Sequence, residues 1–228
     1  MSYLDKTAQV WQADYPSENV ESHVFRAYGR VIKKELMELC DHQPKMLDYG
    51  CGEGAALKYF HNQGLDVYGV DVSKVAIESC KQKMPDLASH FKVIDPHPQK
   101  EDSFFGETFD FIMSMQVLYY MDDVDLQTRL VSLFNQLKPG GLIYVTMVAE
   151  KCYWFENSVP AENGARLVSF NSERYQMDEH HMAFTRDEAH LLEKFSLFEK
   201  MHVGYYDAKY VDNEGSELHY TFIGRKPK

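Results

Sequence analysis

The stretch over residues 45–54 restricts the fold of this chain more than any other. An apolar run ending in Asp48 leads into glycines at 50, 52 and 54, and residues 55–60 read as the start of a helix. The run itself predicts a buried strand. A glycine-rich loop between a strand and a helix lets the backbone approach a ligand closely. The stretch therefore predicts an α/β fold with a ligand at this loop.

The pattern after this loop predicts a doubly wound sheet. Strands are expected over residues 65–70, 90–94, 109–114 and 142–148, and helices over 54–63, 73–84 and 123–137. Such alternation with short connections is typical of a parallel sheet with right-handed crossovers. Residues 198–206 and 217–224 then predict two strands joined by a turn at 212–215. We expect a mostly parallel sheet that ends in an antiparallel C-terminal hairpin.

A chain of 228 residues suits one domain, and we predict a single domain over residues 1–228. Residues 1–44 would form an N-terminal helical cap, with a loop or short helix first and a helix over 18–39 next. Residues 149–184 follow no clear period and are rich in aromatic residues and histidine. We expect them to be an irregular insertion that covers the substrate. A capping box at 185–188 would begin a helix over 189–195.

Charge and composition exclude several classes of function. The net charge is −11 and there is no basic patch, which argues against a nucleic-acid partner. No apolar run is long enough to span a bilayer, and the N-terminus has no signal-peptide pattern, so we expect no membrane association. The four cysteines form no CxxC pair and are expected to be reduced thiols of a cytoplasmic protein. No metal-ligand spacing is apparent. A monomer or homodimer is expected.

The glycine spacing alone leaves the ligand open. Residues 50–55 fit the G-x-G-x-x-G/A pattern of dinucleotide-binding loops, and Asp71 lies where such proteins carry a ribose-binding acid. However, Asp48 before the loop and Glu53 within it would repel a pyrophosphate. The expected C-terminal hairpin also differs from a second mononucleotide-binding half. A ligand with a ribose and a cationic end suits these acids better, and S-adenosylmethionine is such a molecule.

At these positions the sequence resembles the class I S-adenosylmethionine-dependent methyltransferases. The resemblance is carried by four segments, which are LDYGCGEG at 47–54, VYGVDVS at 67–73, FDFIMSMQVL at 109–118 and LKPGG at 137–141. It extends well over residues 46–148 and weakly over 184–224. It implies a Rossmann-like fold and S-adenosyl-L-methionine as the cofactor.

The resemblance also implies roles for individual residues. Asp71 would bind both ribose hydroxyls through its two carboxylate oxygens. Val72 would lie against the adenine face, and Asp95, or an amide beside it, would meet the adenine amino group. Gly50 and Gly52 would let the backbone approach the methionine end, and Met115 and Gln116, just past the fourth strand, would flank it. Asp48, which could order the loop or meet a cation, and Cys51 are further candidate cofactor contacts.

Methyl transfer from a sulfonium is an in-line displacement, so the enzyme chiefly aligns the acceptor and excludes water. A base helps only for a hydroxyl or a protonated amine. The candidate catalytic residues are Tyr119, Tyr120, His180 and His181. Arg26, placed by its sequence neighbours on an apolar helix face, is a candidate clamp for the cofactor carboxylate or an anionic substrate. Tyr15 and Tyr28 are candidate substrate contacts.

We therefore predict a methyltransferase that acts on an oxygen or nitrogen of a small molecule. Two alternatives stay open at this point. One is an NAD-dependent oxidoreductase, which the glycine pattern and Asp71 allow. The other is a catalytically inactive partner protein that binds the cofactor.

Overall fold

The computed structural model describes residues 2–12, 21–171, 176–209 and 215–228. Tyr15, a predicted substrate contact, lies outside these residues, as does most of the predicted turn at 212–215. Among the described residues, no helix is long and apolar enough to cross a membrane.

Within the described ranges, ten strands form two sheets. The main sheet has seven strands in the order β3-β2-β1-β4-β5-β10-β9, and β10 runs antiparallel to both of its neighbours. The strands are β1 (Lys45–Tyr49), β2 (Asp66–Asp71), β3 (Phe91–Val93), β4 (Phe109–Ser114), β5 (Leu137–Cys152), β6 (Ser158–Pro160), β7 (Ala165–Asn171), β8 (Gln176–Ala183), β9 (Glu199–Tyr206) and β10 (Glu217–Arg225). The predicted Rossmann-like sheet with a C-terminal hairpin is confirmed.

Helices cover both faces of this sheet. They are α1 (Tyr3–Val10), α2 (Ser22–Ala27), α3 (Lys33–Leu39), α4 (Ala55–Asn62), α5 (Lys74–Lys83), α6 (Asp123–Gln136), α7 (Tyr153–Glu156) and α8 (Glu188–Lys194). A π-helical turn, Tyr28–Ile32, joins α2 to α3, and 3-10 turns lie at Pro85–His90 and Leu118–Tyr120. One core packs α6 and α8 against the sheet, and a second core packs α3, α4 and α5 against the other face.

Side-chain caps fix where several helices begin. Ser73 accepts a hydrogen bond from the Ala76 amide and begins α5, as its sequence position predicts. Asp122 accepts from the amides of Val124 and Asp125 and begins α6. The predicted capping box at 185–188 is wrong, because Asp187 caps α8 through the His190 amide. Thr185 instead pairs with Ala149 and is fully buried.

The expected irregular insertion over 149–184 is also different in the structure. After β5 and α7, the strands β6, β7 and β8 form a three-stranded antiparallel sheet. Its buried side chains include Val168 and Met182, but also the polar His180, and the β7–β8 register shifts after Val168. A buried histidine and a shifted register hide the two-residue period that identifies a strand in sequence.

The N-terminal helical segment places Arg26 differently from expectation. The buried residues Val24, Tyr28, Ile32 and Leu36 recur every four positions, which the wide π-turn at 28–32 accommodates. Arg26 therefore lies on the opposite, exposed side, and its neighbour Phe25 is also 42% exposed. The prediction that Arg26 sits on an apolar face is wrong.

Candidate functional site

A cavity of about 340 Å³ opens at the carboxyl ends of β1, β2 and β4. This is the edge at which open α/β sheets bind ligands, and the volume lies in the usual range for small-molecule sites. Helix α1 lies across it with Leu4, Thr7 and Ala8, and Trp11 follows at the end of the helix. Eight predicted cofactor contacts line the cavity, namely Asp48, Gly50, Cys51, Gly52, Asp71, Val72, Met115 and Gln116.

The glycine loop takes a conformation that favours glycine. Gly50, Gly52 and Gly54 have φ values of 79°, 50° and 82°. A Cβ on Gly50 would lie 2.2 Å from the Val117 side chain, whereas one on Gly52 would meet no atom within 4 Å. Gly50 is therefore required by packing within the protein. Gly52 leaves open space over the loop, as a site for a closely bound ligand requires.

Asp71 joins the loop to the second strand. Its Oδ2 accepts a hydrogen bond from the Gly52 amide at 2.9 Å, and its Oδ1 accepts from the Ser73 amide at 2.8 Å. Burial raises the pKa of this carboxyl, while the backbone hydrogen bonds oppose the shift. Carboxylate oxygens can accept further hydrogen bonds, so Asp71 can hold the loop and bind ligand hydroxyls together.

Asp48 is buried at the end of β1, and its carboxylate makes no hydrogen bond within the described part of the chain. Burial, and then the charge of Asp71, raise the pKa of Asp48 to about 8. A buried carboxyl of this kind is stabilised in its charged form by a nearby cation. The end of β1 therefore suits the positively charged part of a ligand.

The raised pKa of Asp48 gives a prediction for stability. The folded protein keeps a proton that the unfolded chain, with an ordinary pKa of about 4, has released. Stability should therefore fall as the pH rises from about 4 to 8. We expect the free energy of unfolding of wild type, measured by urea denaturation, to fall relative to Asp48→Asn across this range. A difference between the two proteins that does not change with pH would contradict the assignment.

The cysteine in the loop does not have the properties of a reactive group. Cys51 is buried, and a hydrogen bond with Cys80, together with burial, holds the pKa of its thiol well above the usual value. The thiol of Cys80 also donates to the Gly52 carbonyl at 3.2 Å. Cys51 is therefore a small, buried packing residue of the loop and has no activated thiol.

Asp95 and Arg26 do not line the cavity, although the two neighbours of Asp95, Ile94 and Pro96, do. The Asp95 carboxylate accepts from the His97 amide at 2.8 Å and lies 2.9 Å from the His97 ring nitrogen Nδ1. Hydrogen bonds from His97 lower the pKa of Asp95. The side chain therefore stabilises its own turn, and Arg26 is exposed outside the cavity.

Of the four candidate catalytic residues, Tyr120 alone is among the residues that line the cavity. Tyr119 is buried in the core, and His180 is buried on β8 with its ring 5.9 Å from that of Tyr120. His181 points to the other side of β8 and packs on Tyr3 at 4.8 Å. Tyr28 packs against Phe60 at 5.1 Å, in the core rather than at the cavity.

Cys40, His42 and Asp110 come together, with one possible ligand atom from each within 4.8 Å of the others. They lie at the opposite edge of the sheet from the cavity, around the start of β1 and β4. The Lys138 ammonium already contacts both Asp110 oxygens, at 2.8 and 2.9 Å, and lies 3.1 Å from the His42 ring. A cation is thus already present in the cluster, and the absence of a metal site stays a prediction.

Sequence analysis missed several residues at the cavity. The cavity is lined by His23, Trp11 and residues of α1. Tyr206 is not among the lining residues, but its hydroxyl accepts a hydrogen bond from the Gln116 side chain. Trp11 and His23 are single residues in segments without a motif, and Tyr206 lies on a C-terminal strand. Only the folded chain brings Trp11 and His23 to the cavity and Tyr206 to Gln116.

Comparisons with known proteins agree with this geometry. A family model described as a methyltransferase domain matches residues 20–213. Among curated proteins, a "Ubiquinone biosynthesis O-methyltransferase" of Rhizobium etli is 29% identical over 106 residues, which are 46% of this chain and 41% of the relative. One of the same description from Brucella ovis is 28% identical over 161 residues, 67% of this chain and 62% of the relative. The matches thus span less than two thirds of these relatives.

Solved structures show the same fold. A SAM-dependent methyltransferase of Methanosarcina mazei has a TM-score of 0.65 at 20% identity and covers 84% of this chain and 96% of its own. The N-methyltransferase NodS of Bradyrhizobium japonicum, in complex with S-adenosyl-L-homocysteine, has a TM-score of 0.62 at 16% identity, with all of both chains covered.

Proposed function

The chain belongs to the S-adenosylmethionine-dependent methyltransferases, and we propose that it transfers a methyl group from S-adenosylmethionine to an oxygen atom of a small molecule. The observation that carries this proposal is the cavity, where Asp71, an open glycine loop and the Asp48 carboxylate, which has no hydrogen-bond partner among the described residues, converge. The similarity to the two ubiquinone biosynthesis O-methyltransferases favours oxygen over nitrogen.

In the proposed complex, each part of the cavity binds one part of the cofactor. Asp71 accepts hydrogen bonds from the ribose hydroxyls while it holds the Gly52 amide. Val72, Ile94 and Pro96 enclose the adenine, and Asp48 pairs with the ammonium group of the methionine end. We do not assign Asp95, Arg26 or Tyr28 to the site, because they do not line the cavity.

When bound, S-adenosylmethionine supplies a methyl group on a positively charged sulfur. The chain's own residues align the acceptor and exclude water, which is the main requirement of this displacement. Helix α1 covers the cavity. Tyr3 connects α1 to the start of α6, because its hydroxyl donates to Asp125 at 2.5 Å and accepts from the Asp122 amide at 2.9 Å. The acceptor hydroxyl releases its proton to solvent as its oxygen forms the new bond to carbon.

The domain assignment rests on the same proposal. Residues 1–228 act as one methyltransferase domain, in which residues 1–44 cap the cofactor and residues 149–184 cover the acceptor. Contacts of α1 with β8, and of the Asp123 amide with the Asn163 carbonyl at 3.0 Å, support the view that these segments close over one site. A monomer or homodimer in the cytoplasm stays a prediction.

A thermal-shift assay followed by a transfer assay tests this function. At 100 times its Kd, S-adenosylhomocysteine should stabilise the protein by about 2.7 kcal/mol, which is roughly 5–10 °C for a domain of this size. NAD should produce no shift. Labelled S-adenosylmethionine incubated with pooled metabolites should then give labelled O-methyl products, identified by mass spectrometry.

Two results would change the proposal. Stabilisation by NAD and not by S-adenosylhomocysteine would favour an oxidoreductase. Labelled products that carry the methyl group on nitrogen would support the methyltransferase activity but show that the acceptor atom is nitrogen instead of oxygen.

A further inference from the structure

The order of the strands fixes which side of the cavity faces the methyl acceptor, provided that the proposed function holds. Asp71 ends β2 and the glycine loop follows β1, whereas β4, β5, β10 and β9 continue on the far side of β1. A cofactor with its ribose at Asp71 and its methionine end over the loop therefore extends towards β4. The acceptor side of the cavity is the edge formed by β4, β5, β10 and β9.

Gln116 stands at this edge in an unusual backbone conformation. It follows β4, lines the cavity and has a φ of 58°, in a region that residues other than glycine rarely occupy. Its amide donates to the Thr146 hydroxyl at 2.8 Å, and its side-chain Nε2 donates to the Tyr206 hydroxyl at 3.1 Å. Backbone strain of this kind persists where surrounding contacts fix it, and such sites are commonly functional.

Tyr206 is half-buried, and several side chains fix the position of its ring. Its ring stacks between His23, at 4.0 Å and 8°, and His219, at 5.0 Å and 5°. Burial lowers the pKa of each histidine to about 4, so both rings are uncharged at neutral pH. The Thr146 hydroxyl also hydrogen-bonds the Tyr206 oxygen. The Tyr206 phenol is thus fixed next to the Gln116 side chain by residues from four distant parts of the chain, namely His23, Gln116, Thr146 and His219.

The charges around the cavity restrict the acceptor further. Its lining includes four acidic residues, namely Glu21, Asp48, Glu53 and Asp71, and no lysine or arginine among the residues described. Burial favours the uncharged form of Asp48, and Glu53 is paired with Lys83 at 2.6 Å, so the negative charge at the cavity is carried chiefly by Glu21 and Asp71. Trp11 and Tyr120 add aromatic rings that meet edge to face at 5.4 Å. An anionic acceptor would be repelled here, whereas a flat uncharged molecule would contact the rings.

We propose that the Gln116 side chain binds the methyl acceptor, instead of the methionine end of the cofactor that the sequence predicts for it. We further propose that Tyr206 positions Gln116 for this role and that the acceptor is an uncharged aromatic alcohol. With Nε2 bonded to Tyr206, the Gln116 Oε1 atom faces no donor among the described residues and accepts the hydrogen of the acceptor hydroxyl. The acceptor oxygen thereby keeps a lone pair free for the methyl carbon. Its proton leaves to water, and the cofactor sulfur takes the electron pair of the broken bond.

Two small probes that differ by one carboxylate test the acceptor class. Catechol is uncharged at neutral pH, and 3,4-dihydroxybenzoate carries the same hydroxyls with a negative charge. We expect the wild-type protein loaded with S-adenosylhomocysteine to bind catechol at least about 10-fold more tightly than 3,4-dihydroxybenzoate, measured by calorimetry. Equal affinity, tighter binding of the acid, or no catechol binding would overturn the inference. Retained binding of S-adenosylhomocysteine would leave the proposed function standing.

Two variants test whether Gln116 binds the acceptor and whether Tyr206 positions Gln116. Gln116→Asn keeps an amide and tolerates the left-handed backbone, but its shorter side chain does not reach Tyr206. We expect it to weaken catechol binding about 5- to 10-fold, the range of one neutral hydrogen bond. Tyr206→Phe should weaken catechol binding about 3- to 10-fold. Neither variant should change the affinity for S-adenosylhomocysteine more than about twofold.

Tyr205→Phe is the matched control, because Tyr205 is 73% exposed on the same strand. It should bind catechol as wild type does. If Gln116→Asn and Tyr206→Phe bind catechol as tightly as wild type, Gln116 does not bind the acceptor. If both weaken S-adenosylhomocysteine and catechol equally, the pair has a structural role only, and the inference is again overturned.

Discussion

Replacement of Asp71 by asparagine is expected to weaken the binding of S-adenosylhomocysteine about 100-fold or more. The carboxylate already accepts hydrogen bonds from the Gly52 and Ser73 amides, at 2.9 and 2.8 Å. In the proposed complex it also accepts from the ribose. An asparagine NH₂ group accepts no hydrogen bond, so one buried amide and one ribose hydroxyl lose their partner. Each charge-assisted hydrogen bond contributes about 1.5–3 kcal/mol, and about 3 kcal/mol corresponds to roughly 100-fold in Kd.

Asp95→Asn is the matched control for this variant. Asp95 is also an aspartate just beyond a neighbouring strand, β3, but it bonds His97 and does not line the cavity. Calorimetry should show its affinity for S-adenosylhomocysteine within about threefold of wild type. Circular dichroism should confirm that both variants are folded. An Asp71→Asn protein that binds within fivefold of wild type would remove Asp71 from the cofactor site.

The cofactor side of the site could be predicted from sequence because it is local. The glycine loop, Asp48 and Asp71 lie at the ends of two successive strands, and strand ends can be located from hydrophobic pattern and glycine spacing. Parallel strands place these ends at one edge of the sheet. The contacts of Asp71 with Gly52 therefore follow from the same pattern that predicted the fold.

The acceptor side could not be predicted in the same way, because its parts are far apart in the chain. His23, Gln116 and Tyr206 meet because β10 and β9 pair in sequence beyond β5 and place Tyr206 beside the end of β4. No sequence pattern predicts the positive φ of Gln116. A functional histidine or tyrosine in a strand also cannot be distinguished by sequence from a residue that only packs in the core. The catalytic candidates predicted from sequence are Tyr119, Tyr120, His180 and His181, and of these Tyr120 alone is among the residues that line the cavity.

Arg129, which the sequence did not single out either, lies on the buried face of α6 and is fully buried. Its Nη1 atom donates to the Asp102 carboxylate at 2.7 Å. The guanidinium lies over the rings of Tyr49, at 5.1 Å, and Phe104, at 5.3 Å. The loop before β4 is thus fixed to α6 by a buried ion pair, and one of the stacked rings, Tyr49, also lines the cavity.

Asp102→Ala should be among the most destabilising single substitutions in this protein. An arginine does not lose its charge in a protein, so the variant leaves a buried cation without its partner. Breaking a buried ion pair from one side costs about 3–5 kcal/mol. The lower end applies here, because the Asp102 side chain is 29% exposed. We expect a fall in Tm of roughly 6–12 °C, measured by calorimetry.

The double variant Asp102→Ala/Arg129→Met separates the cost of the unpaired charge from the loss of contacts. Methionine fills part of the space between Tyr49 and Phe104 and needs no counter-charge. We therefore expect the double variant to recover at least half of the stability that Asp102→Ala loses, since replacing both members of a buried pair by apolar groups is often nearly neutral. If the double variant is less stable than Asp102→Ala, Arg129 contributes chiefly through packing on the two rings, and the ion pair is secondary to that packing.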